Sequence, residues 1–225
     1  AESLHNSTSQ EREVIVGVDE AVIDPGFYRS GAYSNYSTLY SLIEQVRWVM
    51  LRDMRDVLYI GVGNGFVPAY LRAQGVRVKT SDINAALKPD LVCDVLKLAA
   101  STGERSHESI MACEVFEHMP FDVFDQAVRQ LSIVAKRKVL VTLPVYKRFP
   151  IKVGGTLTIA RRELPFGLWL SFDKKSLPKE HCWEIGSDRS TVLSAVRSVF
   201  RRHFSGVVDY RMRTNPYHHV FDLSV

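Results

Sequence analysis

Cysteine is scarce in this sequence, and so are the usual signs of a cross-linked or membrane-embedded chain. Cys93, Cys113 and Cys182 form no Cys-x-x-Cys pair, which argues against a disulfide framework or a zinc site, and we expect no metal. No apolar run approaches the ~18 residues of a membrane-spanning helix, and the first residues lack the basic and apolar blocks of a secretory signal. We therefore expect a cytoplasmic protein without membrane contact.

The composition is that of a globular protein with a modest positive charge. The chain has 225 residues, of which 46% are hydrophobic and 24% charged, a balance that fits one large domain. The formal net charge of +4 favours anionic partners, but the basic residues are scattered in short clusters such as residues 136–138. Nucleic-acid binding therefore has weak support, and the oligomeric state is left open.

Short β-branched apolar runs alternate with helical patterns from Val57 onward. This alternation is typical of a mostly parallel sheet that is covered by helices on both faces. The predicted parallel strands are short and apolar, as buried strands are, and they cover residues 57–60, 76–80, 91–93, 110–113 and 139–143.

Two more strands are predicted at residues 207–212 and 219–225. The connection between them is too short for a crossover helix, so they should form an antiparallel hairpin. The predicted fold class is therefore α/β, with a doubly wound, mostly parallel seven-stranded sheet, an antiparallel C-terminal hairpin and helices on both faces.

A glycine-rich turn, Gly61, Gly63 and Gly65, directly follows the first predicted strand. Such a turn lets the backbone approach a ligand, and the next helix directs its first N–H groups to the same place. The dinucleotide fingerprint of hydride-transferring enzymes would place its last glycine at Phe66, so a dehydrogenase is disfavoured. Asp82 follows Gly65 by 17 residues, about where a doubly wound fold holds a ribose, although it could instead cap the next helix.

These motifs resemble the class I S-adenosylmethionine-dependent methyltransferases, in particular their broad small-molecule group. The group's first motif reads like VLDxGCGxG, and residues 57–65 read VLYIGVGNG, with Tyr59 at the position of the usual acid and Val62 at that of the common cysteine. The resemblance continues through residues 78–84, 89–98 and 109–120 and covers about half the chain.

The resemblance implies S-adenosylmethionine as the cofactor. The glycines would contact its methionyl part, Asp82 its ribose, and Asp94 its adenine amino group, while Glu114 would line the methionyl pocket or be a solvated loop carboxylate. The implied cofactor residues are Tyr59, Gly61, Gly63, Gly65, Asp82, Ile83, Asp94, Val95 and Glu114. We expect residues 1–50 to form an N-terminal segment with lid helices and residues 51–225 to form the methyltransferase domain, with an inserted overhang at about 144–187.

Candidates for catalysis lie after the fourth strand and in the overhang. His118 is a candidate base with a suitable pKa, although the Glu-His pair at this point is widespread in the group and often structural. The overhang exceeds ordinary loop lengths and supplies His181 and Glu184 as the leading candidates. Trp169 and Trp183 would wall the substrate pocket. The alternative is that both tryptophans fill a small satellite core while His181 and Glu184 face water.

The segment before residue 40 is rich in tyrosine. The methyltransferases of this group often fold such a segment over the cofactor as a lid, so Tyr33 and Tyr36 would cover the methyl group. The alternative is that both tyrosines are packing residues with a hydrated hydroxyl.

The predicted function is that of an enzyme, a methyltransferase that acts on an O, N or C nucleophile of a small or medium-sized metabolite. An RNA or protein methyltransferase is an alternative, suggested by the positive charge and by Arg201, Arg202, Arg211 and Arg213. A catalytically silent S-adenosylmethionine-binding protein is a second alternative, suggested by Tyr59. Aromatic and aliphatic residues at 166–170 also allow a weaker hypothesis of lipid contact.

Overall fold

A computed structural model describes residues 20–159 and 161–225, so the start of the predicted N-terminal segment, residues 1–19, lies outside the described residues. The α-helices are α1 (Tyr36–Met50), α2 (Phe66–Ala73), α3 (Leu98–Thr102), α4 (Phe124–Val134) and α5 (Leu193–His203). The strands are β1 (Asp56–Ile60), β2 (Arg77–Asp82), β3 (Leu91–Val92), β4 (His107–Cys113), β5 (Ala135–Pro144), β6 (Lys147–Ile159), β7 (Arg162–Asp173), β8 (Gly206–Arg211) and β9 (His218–Ser224).

Seven of the strands form one sheet in the order β3-β2-β1-β4-β5-β9-β8. Strands β1 to β5 are parallel, whereas β9 runs antiparallel to both β5 and β8. The prediction of a mostly parallel sheet with an antiparallel C-terminal hairpin is confirmed. The strand order reverses between β1 and β4, and ligands of open α/β sheets bind at the carboxyl ends of the strands at such a switch point.

The core has two parts, one on each face of the sheet. Leu58 and Ile60 belong to the part that packs against α4 and α5, whereas Val57 and Tyr59 belong to the part that packs against α1 and α2. Alternate residues of a strand point to opposite faces, so β1 is covered on both sides and all five of its residues are buried. This double burial explains why residues 57–60 of β1 are a continuous apolar run rather than an alternating pattern.

The predicted overhang contains a separate antiparallel hairpin of β6 and β7, which the sequence pattern did not indicate. Pro150, Gly154, Gly155, Pro165 and Gly167 interrupt these strands, and proline and glycine are usually signs of a loop.

Apolar side chains on this hairpin are exposed, among them Phe166 at 45% and Leu168 at 73%. No helix within the described ranges is long and apolar enough to cross a membrane.

Candidate cofactor and acceptor site

A cavity of about 970 Å³ opens at the carboxyl edge of the central strands, near the upper end of the ~300–1,000 Å³ range of ligand pockets. The predicted site residues that line it are Tyr33, Tyr59, Gly61, Gly63, Asp82, Ile83, Asp94, Val95, Glu114, His118 and His181. Gly65, Tyr36, Trp169, Trp183 and Glu184 do not line it.

The glycine loop joins β1 to α2 in a backbone conformation that favours glycine. Gly61, Gly63 and Gly65 have φ angles of 80°, 54° and 73°, in the left-handed region where a Cβ atom is strained. A Cβ on Gly61 would also lie 2.9 Å from Cγ2 of Val115. Gly65 is the N-cap residue of α2, and the helix begins directly after it. Gly65 itself does not line the cavity.

Asp82 ends β2, and backbone N–H groups hold its carboxylate. Oδ2 accepts from the N–H of Val62 at 2.7 Å, and Oδ1 accepts from the N–H of Asn84 at 2.8 Å. Burial raises the pKa of Asp82 more than these hydrogen bonds lower it. Because each carboxylate oxygen has two lone pairs, Asp82 can bridge the two loops and still accept hydrogen bonds from a ligand in the cavity.

Asp94 and Val95 line the same end of the cavity from the segment after β3. Oδ1 of Asp94 accepts from the N–H of Leu96 at 2.9 Å and caps the short 3-10 turn Val95–Lys97. The N–H of Cys93 donates to the carbonyl oxygen of Asp82 at 2.9 Å. Asp82 and Asp94 are therefore held close to each other through the backbone.

Tyr59 lies where the methyltransferases that the motif resembles have an acid, and its hydroxyl points to α1. The hydroxyl donates to Oε1 of Gln45 at 2.8 Å, and burial raises the pKa of Tyr59 well above its usual value. Tyr59 and Gln45 both line the cavity. An uncharged phenol and amide thus replace a carboxylate at this point.

Glu114 follows β4 with a φ of 55°, an uncommon conformation for a residue that is not glycine. Oε1 accepts from the hydroxyl of Thr142 at 3.0 Å, and Oε2 lies 3.2 Å from Nε2 of His218. Nδ1 of His218 lies 3.0 Å from Oγ of Ser41, and burial lowers the pKa of His218. Glu114 is therefore held by protein partners, which disfavours the alternative of a solvated loop carboxylate.

His181 and Glu184 form a pair at the other end of the cavity. Nδ1 of His181 lies 2.9 Å from Oε1 of Glu184. Glu184 is completely buried behind His181, and it also binds Nζ of Lys174 at 2.6 Å and the hydroxyl of Tyr217 at 2.6 Å. His181 lines the cavity, whereas Glu184 reaches the cavity only through its partners.

His118 faces His181 across this end of the cavity, with the ring centroids 5.0 Å apart and the planes at 90°. Nδ1 of His118 lies 2.7 Å from Oε1 of Glu20 and 3.0 Å from the carbonyl oxygen of Glu180. Burial alone would lower the pKa of His118, but Glu20 and the carbonyl of Glu180 raise it above the usual value.

Glu117, His118 and His181 form a group of three potential metal ligands, which we call the Glu-His-His cluster. Their ligand atoms lie within 4.8 Å of one another, and all three residues line the cavity. The sequence suggested no metal, because the cluster joins a tight turn after β4 to a residue 63 positions later and so has no short ligand spacing.

The tryptophans of the overhang do not wall the cavity, so that prediction is corrected. Trp183 is 2% exposed, and its Nε1 donates to the carbonyl oxygens of Phe116 at 3.0 Å and Met119 at 3.1 Å. It packs against Phe124 as part of the main core. Trp169 lies on β7, outside the cavity.

Of the two tyrosines predicted for the lid, only Tyr33 is next to the cavity. Tyr33 lines the cavity and makes edge-to-face contacts with Phe27 and Tyr28, which line it as well. Tyr36 begins α1 and is 82% exposed outside the cavity, so its assignment to the lid is corrected.

Sequence reasoning missed Glu20, Gln45, Lys174, Tyr217 and His218. His218 had a usable signal, because β9 pairs with β5 in a register that sets His218 opposite Pro144, at the carboxyl end of β5. The strand order alone therefore places its backbone at the ligand edge.

The chain was compared with known proteins and with solved structures. No protein-family model matches it, and no curated protein matches it either. A methyltransferase from Archaeoglobus fulgidus, described as dependent on S-adenosylmethionine (SAM), is similar with a TM-score of 0.60 and 12% identity, over 90% of this chain and 100% of the other.

Magnesium protoporphyrin IX methyltransferase from Synechocystis PCC 6803, with bound SAM, gives a TM-score of 0.53 at 12% identity over 93% of this chain and 98% of the other. 1,6-Didemethyltoxoflavin-N1-methyltransferase from Burkholderia thailandensis, with bound 1,6-didemethyltoxoflavin and S-adenosylhomocysteine, gives a TM-score of 0.51 at 14% identity over 92% of this chain and 93% of the other. This chain has the class I methyltransferase fold. The fold that the motifs predicted is thereby confirmed.

Proposed function

We propose that this protein is a SAM-dependent methyltransferase of a small or medium-sized metabolite. One observation carries the proposal: a single cavity joins the glycine loop, Asp82 and Asp94 at one end to a group of titratable side chains at the other. That arrangement provides separate places for a nucleoside cofactor and for an acceptor. The solved methyltransferases of the same fold support it, two of which hold SAM or its demethylated product.

The residues at the cofactor end fit this ligand. The carboxylate of Asp82 has free lone pairs for a ribose diol, and the unhindered backbone at Gly61 and Gly63 lets a ligand lie against the loop. Asp94 is an acceptor for an adenine amino group, and the Tyr33 ring lines the same cavity. When bound, SAM supplies an electrophilic methyl group, which leaves the protein to position the acceptor and take up a proton.

The acceptor end is built from side chains whose positions are fixed by buried partners. His181 is oriented by Glu184, and His118 by Glu20. Glu184 acts through His181 and is thus a positioning residue. Lys147 and Arg148 also line this region, so an acceptor with an anionic group would be attracted to it.

The basic residues that suggested an RNA substrate are largely engaged within the chain. Arg202 pairs with Asp125 at 2.8 Å, while Arg211 and Arg213 donate to backbone carbonyl oxygens. These contacts favour a structural role for the three arginines, and a small-molecule acceptor is the better proposal.

Calorimetric titration with SAM and with S-adenosylhomocysteine tests the proposal. We expect the wild-type protein to bind both, and Asp82→Asn to weaken binding by at least about 10-fold because the buried carboxylate is lost. Asp53→Asn is the matched control, since Asp53 is exposed and outside the cavity. If the folded wild-type protein bound neither compound, the proposal would be rejected.

A further inference from the structure

We propose that the Glu-His-His cluster binds one divalent transition-metal ion at the acceptor end of the cavity. The first argument is the donor set. Two imidazole nitrogens and one carboxylate oxygen suit Mn²⁺, Fe²⁺, Co²⁺ or Zn²⁺. Ligand atoms at ~2.0–2.2 Å from an ion lie roughly 3–4 Å apart, so a cluster within 4.8 Å closes on an ion with small side-chain movements.

The second argument is the state of Glu117. Its side chain is completely buried and lines the cavity, neither carboxylate oxygen makes a hydrogen bond of good geometry within the described part of the chain, and the carboxylate of Glu114 is a neighbour. Nε2 of His118 lies 4.0 Å from its Oε1. A buried carboxylate without partners is costly, and a cation bound by Glu117 would remove that cost.

The third argument is the orientation of the two imidazole rings. In both, Nδ1 is already engaged: with Glu20 and a backbone carbonyl in His118, and with Glu184 in His181. In the neutral form of each ring, Nδ1 therefore carries the proton, and the lone pair of Nε2 is the one available to an ion. This pattern of carboxylate, histidine and metal is the usual outer shell of a metal site.

Three protein ligands leave coordination positions open toward the cavity. A hydroxyl group that coordinates there has a lowered pKa and releases its proton to solvent more readily. This part of the inference rests on the proposed function, and it narrows the acceptor to a compound that presents an oxygen nucleophile. His118 and His181 are then metal ligands rather than bases.

Metal binding is measured on the chelator-treated full chain, with Co²⁺ followed by visible absorption and Zn²⁺ by calorimetry. We expect one equivalent to bind, and Glu117→Gln and His181→Ala to weaken binding by at least about 100-fold. His203→Ala is the matched control, because His203 binds Asp125 outside the cavity. Glu20→Gln should weaken binding by about 10-fold, since Glu20 orients His118.

Three outcomes decide the inference. Absence of stoichiometric Co²⁺ and Zn²⁺ binding by the folded wild-type protein would overturn it, as would equal binding by Glu117→Gln, whose fold is checked by circular dichroism. Acetohydroxamate, which chelates through two oxygens, should change the Co²⁺ spectrum; an unchanged spectrum would mean a closed structural site and overturn the acceptor role. SAM titration of the same metal-free samples tests the cofactor proposal separately. A failure of the cofactor proposal can therefore be distinguished from a failure of the metal proposal.

Discussion

The hydroxyl of Tyr59 donates a 2.8 Å hydrogen bond to Oε1 of Gln45, and both side chains are buried. We expect Tyr59→Phe to lower the free energy of unfolding by about 1–3 kcal/mol, because the Gln45 oxygen then stays buried without a donor. Urea denaturation measures this loss. Tyr70→Phe is the control, since Tyr70 is 43% exposed, and equal stability losses in the two variants would refute the prediction.

Gly61 differs from Gly75 in its surroundings but hardly in its backbone. Their φ angles are 80° and 81°. A Cβ atom added at Gly61 would have Cγ2 of Val115 within 4 Å, whereas one added at Gly75 would have no neighbour among the described residues within that distance. Substitution by alanine should cost about 1–2 kcal/mol at Gly75 from backbone strain, and more at Gly61 because Val115 must move.

Thermal and urea unfolding of Gly61→Ala and Gly75→Ala measure this difference. Gly61→Ala should also weaken SAM binding, whereas Gly75→Ala should not, since Gly75 lies outside the cavity. A smaller stability loss at Gly61 than at Gly75 would show that the Val115 contact is relieved without cost.

Tyr33 and Tyr36 provide a test residue and a control residue for the proposed lid over the cofactor. Tyr33 lines the cavity, and Tyr36 is 82% exposed outside it. We expect Tyr33→Ala to weaken SAM binding by about 10-fold, equivalent to ~1.4 kcal/mol, because ring contact with the cofactor is lost, and Tyr36→Ala to have no effect. Calorimetry measures both, and unchanged affinity in Tyr33→Ala would remove the lid assignment.

The carboxylate of Asp56 makes the free energy of unfolding depend on pH. Burial alone would raise the pKa of Asp56, but hydrogen bonds from Arg77 and the N–H of Glu108, together with nearby His107, lower it below its usual value. The stability that this carboxylate contributes is therefore present above the unfolded-state pKa of about 3.9 and is lost as the pH falls through the lower folded-state pKa.

Urea denaturation between neutral pH and acid measures the contribution of Asp56. Asp56→Asn should be less stable than the wild type at neutral pH, and the difference should shrink in acid. Asp53→Asn is the control, because Asp53 is exposed and pairs with exposed Arg55. A stability difference that did not change with pH would contradict the assignment.

The parallel strands, the glycine loop and the acid that follows it could be predicted from the sequence because local signals determine them. A buried strand is followed by a turn that requires glycine, and Asp82 ends the next strand. These features depend on residues close in the sequence, so a motif contains most of their geometry.

The acceptor end of the cavity could be predicted only in part from the sequence, because contacts between residues distant in the sequence form it. His118 and His181 were predicted singly, but their proximity depends on the path of the overhang. The role of Trp183 was ambiguous for a physical reason: an indole can wall a pocket or fill a core, and here two backbone carbonyls after β4 bind its N–H group. The sequence contains no local sign of such partners.

Strand β9 comes after the other eight described strands in the sequence, yet it occupies an internal position between β5 and β8. During synthesis, β5 therefore presents an unpaired edge until residues 218–224 have emerged from the ribosome, and such edges are prone to pair with other chains. His218 reaches Glu114 only when β9 is in place. Closure of the sheet and completion of the binding site are thus one late event, and a nascent chain that stops short of β9 has neither.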